Sequence, residues 1–97
     1  MPTYVVLIKW TDQGVRNVKD VVAGMEERRA QAERAGLRVH GAYFTQGAYD
    51  GVAIVEAPDE ETMMAALLGA GAQGNERTET LRAFSAEEMT RILAKLP

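Results

Sequence analysis

The chain predicts an α+β fold: a ferredoxin-like βαββαβ antiparallel sheet followed by a C-terminal helix, in a single domain of 97 residues. Three observations predict it. Residues 3–10 and 50–57 are apolar at nearly every position, the mark of strands buried on both faces and therefore central. Residues 37–45 and 76–84 mix polar or charged groups with apolar ones and suit the sheet edges. Between these four runs lie two stretches of helical period, placed so that the first and third strands are the inner pair.

Taken in order, Thr-Tyr-Val-Val-Leu-Ile-Lys-Trp at 3–10 is β-branched and aromatic and forms the first strand. Thr11 or Asp12 caps a helix whose stripe, Val18, Val21, Val22, Met25 and Ala32, runs to Gly36. Its polar remainder, Glu26 to Arg34, places opposite charges three and four residues apart and reads as a solvated face. The second strand contains Arg38 and His40, with Ala42 and Phe44 expected on the histidine's face. Glycines at 47 and 51 bracket Tyr49 and Asp50 and make a hairpin bend there. In the third strand, Val52 and Ile54 share one face and Ala53 and Val55 the other.

Pro58 stops that strand and Asp59 caps the second helix, which runs to about Ala72 with Met63, Leu67 and Ala70 beside Met64 and Leu68 as its buried side. The fourth strand alternates Arg77 and Glu79 with Thr78, Thr80 and Arg82, and an Arg77–Glu79 ion pair within or between chains is expected. Ser85-Ala86-Glu87-Glu88 is a capping box opening a third helix, with Met89, Ile92, Leu93 and Leu96 as its inward stripe.

Right-handed crossovers put both long helices on one side of the sheet, yet the central strands are apolar on both. The C-terminal helix is too short to cover a four-stranded sheet. A second copy packed sheet to sheet, as in dimeric α/β barrels, is the economical cover, so a homo-oligomer, a dimer or higher, is expected.

Hydrophobic residues at 46% and charged ones at 26% are ordinary for a globular protein and argue against disorder. A net charge of -3 gives no general attraction to nucleic acid or to an anionic membrane, so neither is expected as a partner. No apolar run approaches the roughly 20 residues that span a bilayer, and a cytoplasmic location is expected. With no cysteine and one histidine, no metal site matches a ligand motif, and no cofactor is expected.

Several stretches resemble the GYD-domain family: Gly47-x-Tyr49-Asp50, Glu56-Ala57-Pro58-Asp59, and Gly74-Asn75-x-Arg77-Thr78-Glu79-Thr80-Leu81-Arg82-Ala83-Phe84, with Thr11-Asp12-Gln13-Gly14 near the start. The likeness covers nearly the whole chain, and the Arg-Thr-Glu-Thr-Leu-Arg-Ala-Phe run is its most specific part. Glu76 departs from the pattern, which expects an aliphatic residue there. The resemblance implies the fold and no particular activity.

The candidate ligand-binding residues are His40, Trp10, Tyr43, Tyr49 and Asp50. His40 is the chain's one histidine, a residue type able to act as a base, or else a partly exposed strand histidine. Asp50 and Tyr49 either rim a pocket or satisfy the hairpin's own backbone and sheet. Trp10, Tyr4 and Tyr43 offer stacking surfaces or plain packing. Glu56, at the end of an apolar strand, is expected to be anchored by an arginine or by backbone amides. Three functions remain: a small homo-oligomeric domain that binds a small apolar or aromatic ligand or serves in assembly; a cofactor-independent enzyme resembling small monooxygenases or isomerases, with His40 as base; or an oligomerisation module without a pocket. Any small-molecule site is expected on the sheet face away from the helices, between His40, Trp10 and the 49–50 hairpin.

Overall fold

The hairpin carboxylate of Asp50 ties the sheet together at one end: its Oδ2 accepts the Trp10 backbone N–H at 2.8 Å, while the Asp50 N–H donates to the Ile8 carbonyl, also at 2.8 Å. The computed structural model describes Met1–Pro97, and its strands are β1 (Thr3–Trp10), β2 (Arg38–Phe44), β3 (Gly51–Glu56) and β4 (Glu76–Ala83). They form one antiparallel sheet in the order β2-β3-β1-β4, so the two doubly apolar strands are the inner pair and the two polar ones the edges, as expected.

The helices are α1 (Asp12–Arg16), α2 (Val21–Arg34), α3 (Glu60–Ala72) and α4 (Ala86–Leu93), with a 3-10 turn at Val18–Asp20. The single helix expected between β1 and Gly36 is therefore broken in two. The cause is tertiary: α1 is tied to the loop before β4. Thr11 Oγ1 donates to the Gly74 carbonyl, while Gln13 and Asn17 both donate to the Asn75 side chain. Gly14 makes this approach possible, because a Cβ there would sit 2.0 Å from the Asn75 carbonyl oxygen. The chain then turns at Asn17 so that α2 can cross over β2, while α3 lies over β4.

Asp59 caps α3, its Oδ1 accepting from Thr62 N at 2.7 Å, and Ser85 with Glu88 forms the complete capping box of α4. Both carboxyls, Asp59 through the Thr62 amide and Glu88 through the Ser85 amide, are held below the usual carboxylate range by these bonds.

Side chains of one sheet face, Tyr4, Val6, Val55 and Val39, meet Leu37, Ala57, Met63 and Ala66 in a small core at the end where β1 begins. Each fully buried aliphatic side chain contributes roughly 1.5–3 kcal/mol. From the expected helical stripes, Met63 is buried and Val21, Met25, Ala32, Leu67 and Ala70 face the sheet, whereas Val18, Val22, Met64 and Leu68 are exposed. The α4 stripe is a clear departure: Met89, Ile92, Leu93 and Leu96 are exposed rather than inward, because α4 leaves the sheet edge with nothing in this chain to cover them.

Candidate functional site

Alternation along the strands divides the sheet into two unlike surfaces. Val6, Ile8, Trp10, Ala53 and Val55 point towards α2 and α3, and Val5, Leu7, Val52, Ile54 and Leu81 point the other way. On this open face Tyr43 is 63%, Leu81 47% and Ile54 39% exposed.

His40 stands on the open face, not with Ala42 and Phe44 as the simple alternation implied. A β-bulge lies between Val39 and Gly41: Val39 pairs with Val55 and Gly41 with the next residue back, Ile54, so His40 has no partner of its own. The extra residue turns the histidine to the far side, where its Nε2 lies 3.1 Å from Glu56 Oε2. Glu56 is thus anchored by His40 rather than by an arginine. Gly41 in the bulge also leaves room for the Tyr43 ring, which would lie 3.1 Å from a Cβ at 41.

At the opposite end of the same face, the Tyr49 hydroxyl donates to Glu79 Oε2 at 2.5 Å, and Lys9 Nζ stands 5.8 Å from the centre of the tyrosine ring. The bond to Glu79 and its negative charge raise the Tyr49 pKa above its ordinary value, so the phenol is a firm donor. Glu79 is thereby paired with Tyr49, and no Arg77–Glu79 ion pair forms within the chain. The open face is an apolar field with a hydrogen-bonded polar pair at each end.

Of the five candidate residues, the structure brings His40, Tyr43 and Tyr49 to this face and separates two. Asp50 spends its carboxylate on the Trp10 amide, and the Trp10 side chain faces the helices.

The helix side holds a feature that the sequence did not announce. Between α2, α3 and the sheet lies a mostly apolar cleft of about 400 Å³, walled by Val6, Ala53, Val55, Met63 and Leu67 and kept open by the small side chains of Ala32, Ala66 and Ala70. The cleft is open on one side, so solvent or a ligand can reach it. Trp10, Val21, Arg28 and Gln73 also border a second, polar cavity of about 510 Å³. Its wall includes Glu76, which is 4% exposed, with the Arg28 guanidinium 2.9 Å away. Burial raises the Glu76 pKa, and Arg28 only partly opposes this. The aliphatic residue expected at position 76 would leave Arg28 without this partner.

Comparison with known proteins gives two findings. The profile of the GYD domain matches residues 4–93, which is nearly the entire chain. A curated protein of Thermus thermophilus, named glutamine synthetase and cystathionine beta-lyase binding protein, is 34% identical over 90 residues, covering 92% of this chain and 95% of that protein. No helix here is long and apolar enough to cross a membrane.

Proposed function

We propose, from the premise that this chain belongs to the GYD-domain family, that it is a homodimeric protein-binding domain. The observation that carries this reading is the apolar surface one chain leaves uncovered, namely the open sheet face and the stripe of α4. Apolar along its length, with His40–Glu56 at one end and Tyr49–Glu79 at the other, the sheet face suits a second copy of itself, in the manner of a dimeric α/β barrel. The short amphipathic α4 at the sheet edge suits a groove on a different protein.

The related protein's name, which records binding to glutamine synthetase and cystathionine beta-lyase, supports enzymes of amino-acid metabolism as the partner class. The test is interferometry against purified glutamine synthetase and cystathionine beta-lyase. Saturable binding to at least one is expected, reduced about tenfold or more by Leu93→Glu, in line with loss of a buried anchor, while the mass in solution stays that of the dimer. Absence of binding to both enzymes overturns the partner assignment.

A second reading has its own observation. The His40–Glu56 pair, 3.1 Å apart on the open face beside Tyr43, is the arrangement in which a carboxylate orients an imidazole as a base. Closed by a second copy, this face makes a pocket for a small apolar or aromatic ligand, worked on by a cofactor-independent monooxygenase- or isomerase-type enzyme. Turnover of an enolisable aromatic substrate that is lost in His40→Ala and retained in Leu93→Glu supports this reading over the first.

A further inference from the structure

We propose that the cleft between α2, α3 and the sheet, together with the polar cavity it meets at Trp10, binds a small cationic amphiphile, an amine carrying an aliphatic or aromatic body. Its volume of about 400 Å³ falls within the roughly 300–1,000 Å³ usual for small-molecule pockets. The walls are apolar and the small residues facing one another across it leave space that the chain itself does not fill. An apolar body therefore belongs inside.

The head group follows from charge. Asp20, Glu27 and Glu76 line the adjoining cavity with Arg28, and Arg29 is the further charged group in the cleft wall, so across both spaces three carboxylates face two guanidinium groups: an anionic head in the cavity would meet an excess of carboxylates and an ammonium would meet complementary charge. Glu76 is the built element of the site: its carboxylate is almost wholly buried, and the Arg28 guanidinium is its ion-pair partner. Trp10 borders both spaces, and the face of an indole attracts a cation. A ligand with its ammonium beside Trp10 and Glu76 and its body against Val6 and Leu67 satisfies both halves of the site. This site lies on the side of the sheet opposite the proposed dimer face, so its test is independent of the protein-binding reading.

Trp10 is the chain's one tryptophan, so its fluorescence reports on the site directly. The probe is 4-phenylbutylamine, with 4-phenylbutanol and 4-phenylbutyrate as neutral and anionic counterparts of the same shape. A saturable change in Trp10 emission is expected with the amine, with the acid at least about tenfold weaker. Ala66→Leu, which fills the cleft, should abolish the change while leaving a cooperative melt. Glu76→Gln should weaken amine binding by about fivefold or more, and Glu27→Gln, at an exposed position, provides the same test of charge without disturbing the start of β4. Equal binding of acid and amine, unaltered binding by Ala66→Leu, or no saturable change at millimolar amine, the result if a helix of a second copy already fills the cleft, would each overturn the proposal.

Discussion

On its helix-covered face the sheet presents Val6, Ala53 and Val55 to helices that close on it at one end and stand away from it at the other. On its open face the same strands present Val5, Val52 and Ile54 with no helix above them. Neighbouring residues of one strand thus have different environments. Small residues on α2 and α3 leave a concave space of ligand size, with a buried carboxylate in the cavity that adjoins it, whereas the open face is an uncovered apolar sheet surface that keeps its polar pairs at its ends. A concave surface surrounds a small molecule. An extended sheet face is covered efficiently only by another large surface, and this difference is the reason for proposing different occupants for the two faces.

The largest expected effect comes from breaking the open face. Ile54→Lys places a charge in the middle of the proposed interface and should convert a dimer into a species at the single-chain mass of 10.6 kDa, read by light scattering coupled to gel filtration. A wild-type protein that already runs at 10.6 kDa would sink the dimer.

Asp50→Ala should come next, lowering the melting temperature by several degrees, since losing a carboxylate that accepts a part-buried backbone amide costs about 1–2 kcal/mol. His40→Ala, which removes an exposed pair with Glu56, should cost less. The reverse order would mean that the His40–Glu56 pair at one end of the sheet contributes more to stability than the hairpin carboxylate at the other.

A smaller effect sharpens the helix-side description through pH. Burial raises the Glu76 pKa in the folded chain, so the stability associated with its protonated form is present below the unfolded pKa and is lost as pH rises through the folded one. The difference in melting temperature between Glu76→Gln and wild type should therefore move in favour of the variant as pH rises from about 4 to 7. Asp59 and Glu88 have the opposite sign: their lowered pKa values mean that stability present at neutral pH is lost as acid protonates the two helix caps. Asp59→Ala should accordingly flatten the acid limb of the melting curve, and an unchanged limb would show that the α3 cap adds nothing.

Much of the fold was legible in local pattern. Continuous apolar runs marked β1 and β3 as central, mixed runs marked β2 and β4 as edges, and Pro58-Asp59 and Ser85 with Glu88 marked two helix starts. These features depend on residues a few positions apart, where propensity, capping and period act directly. The expected inward α4 stripe failed because amphipathicity shows only that one side of a helix seeks cover, not whether its own chain supplies it.

The site was less legible, since its residues meet across the fold. A glycine beside His40 in a strand hints at a bulge, but only the pairing of β2 with β3 shows the bulge and the face to which His40 turns. Glu76 stood out from the family pattern, yet nothing near it in sequence identifies Arg28 as its partner. The proposed protein partner left no motif at all.

The sequence by itself determined the order of the four strands, which of them are edge and which central, and the two faces of β1, β3 and β4, because side-chain period and turn chemistry are short-range properties. The tertiary structure decided the break at Asn17, the turning of His40, the use of Asp50 on Trp10 and the cleft beneath the helices. Each depends on how closely segments tens of residues apart can approach, as where Gly14 meets Asn75, and that distance is fixed only when the whole chain has packed.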